Sequence, residues 1–111
     1  MSKASYRARF RKVLDHIDAH LNESLTVEEL SAIAAFSKHH FHRQFSAVLG
    51  VPAGKYIQLR RLKRASYQLA FRSDPILEVA LTNGYEGPES FARAFKKEIG
   101  QSPSDFRRTP Q

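Results

Sequence analysis

An internal repeat is the sequence feature that most constrains how this chain folds. Five residues recur at an offset of 50 in the same order: Phe41, Arg43, Phe45, Gly50 and Tyr56 in the first copy, and Phe91, Arg93, Phe95, Gly100 and Phe106 in the second. Three upstream residues recur at an offset of 49: Leu30, Ala35 and Phe36 match Val79, Gly84 and Tyr85. One residue is therefore inserted in the second copy. Each copy reads as a short helix, a tight turn and a second helix, which predicts a duplicated helix-turn-helix.

Apolar residues in the first copy recur with helical spacing. A first amphipathic helix is predicted over residues 6–21. Thr26 is expected to open a second helix by accepting a hydrogen bond from the Glu29 backbone, while the Glu29 carboxylate reaches back in a capping box. Ser37 is the predicted N-cap of a third helix. That helix is expected to bury one apolar face: Phe41, Phe45, Val48 and Leu49.

The second copy follows a longer helix, predicted over residues 53–72. At a rise of 1.5 Å per residue this helix spans about 30 Å. Asp74 and Pro75 predict the N-cap and first turn of a fifth helix, which stops at Asn83 and Gly84. Two more helices are predicted between Pro88 and Gly100 and from Ser102 to Arg108.

We therefore expect an all-α fold of about seven helices, with two helix-turn-helix subdomains joined by a long central helix. The predicted boundaries are 6–51 for the first subdomain, 52–72 for the connecting helix and 73–108 for the second subdomain. No connecting segment is long enough to separate independent domains.

Charge and composition narrow the class of partner. The 111 residues include 18 Lys+Arg against 11 Asp+Glu, a net charge of +7, which favours a polyanionic partner such as nucleic acid or an anionic membrane surface. The chain has no cysteine, so it can form neither disulfides nor cysteine-ligated zinc sites. No apolar run approaches the ~20 residues of a membrane span, and the first residues do not resemble a signal peptide. We expect a cytoplasmic protein without a membrane partner.

The second helix of a helix-turn-helix enters the major groove of DNA. In both copies the paired phenylalanines occupy the core face, so the residues between them face outward. Arg43 and Arg93 occupy equivalent positions in the two copies. At such a position arginine either donates two hydrogen bonds to guanine O6 and N7 or contacts a phosphate. The alternative is that both are solvated arginines on exposed helix faces. The net charge and the repeat favour groove contact.

The chain resembles the DNA-binding domain of the AraC/XylS family of bacterial transcription regulators. The resemblance rests on residues 30–37, on F-H-R-Q-F at 41–45, and on G-Y-x(5)-F-A-R-A-F-K-K-x-x-G-x-S-P-x-x-F-R at 84–107. It covers residues 10–108. It implies two helix-turn-helix subdomains that insert into successive major grooves on one face of DNA. A connector of about 30 Å is close to the 34–36 Å of one duplex turn.

The resemblance also implies which side chains contact DNA. Base edges would be read by His39, His42 and Arg43 in the first copy, and by Glu89, Ser90 and Arg93 in the second. The family often carries tryptophan where His39 stands, and glutamine where His42 or Glu89 stands. We expect phosphate contacts from Ser37, Lys38, Lys96, Lys97, Arg60 and Arg64. Double-stranded DNA is the expected partner, and RNA polymerase is the expected protein partner.

Other chemistries find little support in the sequence. His39 with His42, and His16 with His20, have the helical spacing of metal ligands, but neither pair has a third ligand nearby, so no metal site is predicted. Phosphate-loop, dinucleotide, zinc-protease and hydrolase motifs are missing, so we predict no catalytic residue and no cofactor. The basic cluster at 60–64 would suit a membrane surface or a calmodulin-type target, but Leu59, Leu62 and Leu69 have the simpler role of packing the two subdomains onto the connecting helix. Between two grooves this helix can also place its cations near phosphates, and a purely solvated face is the alternative.

Two other classes of function remain open at this point. The chain would also suit a basic helical module that binds a protein partner and has only non-specific affinity for nucleic acid. RNA binding is disfavoured because the phenylalanines fall on core faces and leave no stacking platform. We also expect the chain to belong to a longer regulator with an effector domain fused at its C-terminal side, since family members commonly carry a separate sensing domain. A small stand-alone regulator is the alternative.

Overall fold

The computed structural model describes residues 3–109 and is helical throughout. Within these residues there are seven helices and no strand, as predicted. In chain order they are α1 Lys3–Ala19, α2 Val27–Ala34, α3 Lys38–Leu49, α4 Ala53–Phe71, α5 Ile76–Thr82, α6 Pro88–Ile99 and α7 Pro103–Arg108. The chain divides between Gln58 and Leu59 into two compact units, called unit 1 and unit 2 below. Helix α4 begins in unit 1 and ends in unit 2.

Three helices begin at the hydroxyl caps that the sequence predicts. The Thr26 hydroxyl accepts from the Glu29 backbone N–H at 3.2 Å, and Ser37 and Ser102 cap α3 and α7 in the same way. Each cap satisfies one backbone donor that has no partner inside the helix. The other half of the predicted capping box, in which the Glu29 carboxylate reaches back toward Thr26, is wrong. That carboxylate instead lies 3.9 Å from Nε2 of His16.

The start of α5 differs from the prediction. The helix begins at Ile76, Pro75 takes the N-cap position, and α5 has no side-chain cap. Asp74, the predicted cap, accepts a hydrogen bond of 2.8 Å from Nε of Arg72. An arginine two residues away thus competes for the carboxylate that would otherwise have capped the helix.

Each unit has its own apolar core. The buried core residues of unit 1 come from α1 to α4: Phe10, Val13, Ile17, Leu21, Leu30, Ala34, Phe41, Phe45, Ala53 and Ile57. Those of unit 2 come from α4 to α7: Leu62, Ala65, Leu69, Val79, Ala80, Phe91, Phe95 and Phe106. The small residues let neighbouring backbones approach, while each phenylalanine buries a large apolar surface.

The repeat in the sequence is also a repeat in the packing of aromatic rings. In α3 the centroids of Phe41 and Phe45 lie 5.5 Å apart, and in α6 those of Phe91 and Phe95 are also 5.5 Å apart. Phe45 meets Tyr56 edge-on at 5.5 Å, and Phe95 meets Phe106 edge-on at 5.4 Å; both pairs have an interplanar angle of 75°. The matched spacing therefore predicts matched cores, and this prediction is confirmed.

The turns of the two copies also match at their backbones. Ala35 has φ 58° and its counterpart Gly84 has φ 85°, both left-handed. In each copy the next residue donates its N–H to a carbonyl five positions back: Phe36 to Ser31 at 3.0 Å, and Tyr85 to Ala80 at 3.0 Å. This pattern closes a helix C-terminus and normally favours glycine at the left-handed residue. Unit 1 therefore carries an alanine in a conformation that disfavours side chains.

Two apolar residues that the sequence places on core faces are exposed in the structure. Val48 is 54% exposed, so its expected place on the buried face of α3 is wrong. Phe71 at the end of α4 is 79% exposed and stacks on Tyr67, with ring centroids 6.0 Å apart. The interpretation that every phenylalanine lies on a core face is therefore wrong for Phe71.

The left-handed positions predict opposite effects for two reciprocal substitutions. Ala35→Gly is expected to raise the free energy of unfolding by about 0.5–1 kcal/mol, and Gly84→Ala to lower it by a similar amount. The left-handed conformation costs a residue with a side chain about 1–2 kcal/mol of folding free energy relative to glycine. Glycine also makes the unfolded chain more flexible, which favours unfolding and offsets part of that difference. Urea unfolding followed by circular dichroism measures both values.

Gly54 provides the matched control. It lies in α4 without a positive φ, and a Cβ added there meets nothing within 4 Å. Gly54→Ala is therefore expected to stabilise the protein by up to about 1 kcal/mol. If Gly84→Ala stabilises in the same way, the left-handed backbone does not carry the strain that we assign to it.

Candidate nucleic-acid interface

Burial of Phe41 and Phe45 determines which face of α3 is turned to solvent. Both rings are fully buried, whereas His39, His42 and Arg43 are exposed. His42 and Arg43 follow His39 by three and four positions, so both lie on the same side of the helix as His39. The structure thus brings together the three residues predicted to read bases in the first copy. Imidazole and guanidinium groups on such a face can donate to guanine acceptors, and neutral imidazole can also accept.

The start of α3 carries a charged pair that sequence reasoning missed. Nζ of Lys38 donates to Oε1 of Glu28 at 2.9 Å, and both side chains are exposed. The hydrogen bond from Lys38 holds the pKa of Glu28 below its ordinary value, so the carboxylate stays charged at neutral pH. Ser37 uses its hydroxyl to cap α3, where it accepts from His40 at 3.2 Å. Sequence spacing gave no signal for the pair, because its members lie on different helices.

The equivalent face of α6 differs in chemistry. Glu89 and Arg93 are exposed and four positions apart, so they lie on one face. Ser90 is half-buried, and its hydroxyl donates to the Gly87 carbonyl at 3.3 Å. Pro88 occupies the first helical turn, where its missing N–H is not needed. Lys96 and Lys97 are exposed in the last turn, where positive charge is favourable for the helix dipole.

The sequence predicts that the basic cluster of α4 points mostly outward, and this is wrong, because three of its four cations are half-buried. Nε of Arg64 donates to Oδ1 of Asn83 at 2.7 Å, and Nη2 donates to the Thr82 carbonyl. Arg61 is half-buried beside Tyr85, and burial lowers its pKa. Burial also raises the pKa of the Tyr85 hydroxyl, so this group stays neutral at physiological pH. Arg60 is half-buried as well, which leaves Lys63 as the exposed cation of the cluster.

Unit 1 has additional features near the predicted readers. Exposed cations on α1 were not among the predicted contacts: Arg7, Arg11 and Lys12. The guanidinium of Arg9 lies over the Phe36 ring at 5.2 Å, a cation–π contact. The ring of His40 packs against the same Phe36, at 4.6 Å. His40 is exposed like its neighbours, but its ring packs against Phe36 of unit 1.

His16 of α1 and His20, the first residue after that helix, form a structural pair. The rings of His16 and His20 stack at 4.1 Å, and Nδ1 of His20 lies 2.8 Å from the His16 carbonyl oxygen. Among residues 3–109, no group of three or more potential metal-ligating side chains converges. In the same part of the chain, no helix combines the length and apolar character needed to cross a bilayer.

Comparison with known proteins agrees with this geometry. A family model described as a helix-turn-helix domain matches residues 30–109. The right origin-binding protein of Escherichia coli K12 is 37% identical over 101 residues, which are 91% of this chain and 35% of that protein. The chain thus spans about a third of the length of this relative.

Two solved structures share the fold. The DNA-binding domain of the global transcriptional factor AdpA, solved in complex with a target DNA, has a TM-score of 0.83 and 28% identity, covering 91% of this chain and 96% of that one. An AraC-type regulator from Chromobacterium violaceum has a TM-score of 0.84 at 21% identity, covering 98% of this chain and all of that one. The sequence resemblance is confirmed: the chain belongs to the helix-turn-helix domain family of AraC-type transcription regulators.

Proposed function

We propose that this chain binds double-stranded DNA sequence-specifically, as the DNA-binding part of a bacterial AraC-type transcription regulator. The observation that carries the proposal is the duplicated pair α3 and α6. Each helix buries two phenylalanines at equivalent positions and exposes an arginine between them, Arg43 or Arg93. Family membership and the net charge of +7 support the same function. Each of the two helices would enter one of two successive major grooves.

The roles of the side chains follow from exposure and chemistry. We assign base reading to the exposed residues of the two helices, His39, His42, Arg43, Glu89 and Arg93, with Ser90 at the edge of the second face. Phosphate contact is assigned to Lys38, Lys96 and Lys97. We assign weaker phosphate contacts to Arg60 and to the backbone of Ser37. Arg64 is left out, because its guanidinium is engaged by Asn83 and Thr82 inside unit 2.

A protein-binding module is the second candidate function. The stacked, exposed rings of Tyr67 and Phe71 favour it, because aromatic side chains are enriched at protein interfaces. Competition between one selected duplex and scrambled duplexes separates the two functions. A regulator prefers its own site by about 10³-fold or more, whereas a basic module does not discriminate.

Three finer proposals concern the protein in its cell. RNA polymerase is the proposed protein partner. Binding of purified RNA polymerase to the complex of this chain with DNA tests this proposal.

We also propose an effector domain fused on the C-terminal side of this chain. The proposal is supported by the greater length of the matched relative, of which this chain spans 35%, and the reading frame of the source gene tests it. A regulator of bacterial transcription would act in the cytoplasm, where fractionation would find it.

Arginine replacement tests base reading directly. Arg43→Ala and Arg93→Ala are each expected to weaken binding to the selected site by about 1–3 kcal/mol, and binding to random duplex by less. The difference arises because a base contact is lost only at the correct sequence. Fluorescence anisotropy at fixed salt measures both affinities. Equal losses on the two DNAs would reduce both arginines to phosphate contacts.

Selection from a random duplex pool tests the arrangement of the two reading helices. One chain is expected to select two half-sites about 10–10.5 bp apart, centre to centre, and to protect both in a footprint. Each half-site would correspond to one recognition helix. A selected site confined to one groove, or protection that requires two chains, would contradict the tandem arrangement.

The Glu28–Lys38 pair predicts a variant that binds DNA more tightly. Glu28→Gln is expected to raise affinity for random duplex by about two- to fivefold at low salt, because Lys38 then meets a phosphate without a competing carboxylate. The gain should shrink as salt rises and screens the charges. A salt titration of binding measures it.

Glu29→Gln is the matched control for this variant. It changes net charge equally on the same helix, but the Glu29 carboxylate lies near His16 rather than Lys38. We expect it to change DNA affinity less than Glu28→Gln. Identical gains from both variants would assign the effect to net charge and not to Lys38.

A further inference from the structure

A polar side chain lies fully buried in unit 2, at a position where the sequence predicts only the end of a helix. Asn83 is 0% exposed, and its side chain makes three hydrogen bonds. Nδ2 donates to Oε1 of Gln68 at 2.7 Å and to the Val79 carbonyl at 2.8 Å, while Oδ1 accepts from Nε of Arg64 at 2.7 Å. A buried amide satisfied in this way specifies one arrangement of its neighbours, since any displacement leaves a polar group unpaired.

Comparison of the two copies shows what differs at this position. The counterpart of Asn83 in unit 1 is Ala34, which is buried without any polar group. Helix α2 includes Ala34, but α5 ends at Thr82, one residue earlier in the repeat. The segment that leads to α6 runs over residues 83–87, whereas the segment that leads to α3 runs over 35–37. Asn83 therefore stands at the first residue of the longer turn.

The amide holds the start of the turn, and a separate ring contact joins the turn to the second reading helix. Gln68 and Arg64 belong to α4, so Asn83 fastens the start of the turn to α4. Nη2 of Arg64 also donates to the Thr82 carbonyl, which places a cation at the C-terminus of α5 where the helix dipole favours it. At the other side of the turn, the Tyr85 ring packs on Phe91 of α6 at 5.3 Å.

We infer that Asn83, held by Gln68 and Arg64, is a positioning residue that determines base selectivity at the second half-site. The inference rests on the proposed function. A longer turn leaves α6 more freedom, and the Asn83 hydrogen bonds remove that freedom. Base contacts need accurate placement, whereas phosphate attraction tolerates displacement. Loss of the network should therefore reduce selectivity at one half-site and leave non-specific binding in place.

The test compares two buried substitutions on the α5 side of unit 2. Asn83→Ala removes the network, and Val79→Ala removes apolar volume at a residue that is 1% exposed and whose side chain has no polar group. Both are assayed well below their melting temperatures, with folding checked by circular dichroism. The readout is the ratio of affinities for the selected duplex and for duplexes with either half-site scrambled.

Asn83→Ala is expected to lower the selectivity ratio of the second half-site by about tenfold, with the first half-site ratio and random-duplex affinity within about twofold of the wild type. Val79→Ala should keep both ratios. The inference is overturned if Asn83→Ala keeps the second ratio, or if Val79→Ala loses as much of it. Either result would make Asn83 a packing residue only.

Gln68→Ala keeps the inference testable if Asn83→Ala does not fold. It removes one acceptor from the network and leaves Asn83 bonded to Arg64 and Val79, so a smaller fall of the same ratio is expected. An unchanged ratio in this variant would count against the network. Failure of the proposed function would give a different result, because the wild-type protein would then bind the selected duplex no more tightly than duplexes with either half-site scrambled.

Discussion

The interaction on which the rest of the structure depends is the burial of two phenylalanines on one face of each reading helix. Phe41 and Phe45, like Phe91 and Phe95, are fully buried four positions apart, and an edge-on ring closes each cluster. Two buried anchors on successive turns fix how a helix is rotated about its axis. Replacing such a ring with alanine typically costs about 3–5 kcal/mol. The outward position of Arg43 and Arg93 is a direct consequence of this burial.

The fold and the exposed faces of the reading helices were predictable because they follow from spacing along one helix. The errors occurred where spacing was followed too far. Val48 lies seven positions after the buried Phe41, only about 20° away around the helix axis, so helical spacing predicts it buried, yet in the last turn of α3 it is 54% exposed. Phe71 lies two residues after the buried Leu69, which turns it by about 200° toward solvent. Counting the rotation from a buried anchor would therefore have predicted the exposure of Phe71 but not that of Val48.

Contacts between separate helices could not be predicted in the same way. Arg64 belongs to a run of cations that looks suited to phosphates, yet an amide 19 residues later takes its guanidinium. Asn83 followed by a glycine reads correctly as the end of a helix, but that pattern does not indicate whether the amide is buried. The Glu28–Lys38 pair is likewise formed only when α2 and α3 meet. Side chains that pair across elements depend on packing, and a single sequence records packing only indirectly.

Helix dipoles explain why the two copies, which share an aromatic framework, place their charges differently. Lys38 lies in the first turn of α3, where the dipole disfavours a cation, and the Glu28 carboxylate offsets this at 2.9 Å. Lys96 and Lys97 lie in the last turn of α6, where the dipole favours them, and the first turn of that helix carries Glu89 instead. In the second copy Leu77 stands where the first copy has Glu28, and Pro88 stands where it has Lys38. The second copy therefore has no cation at this position and needs no carboxylate to balance it. Each copy thus satisfies the same dipole rule with a different set of charges, so the electrostatic character of each reading helix is determined at its ends, independently of the phenylalanines that orient it.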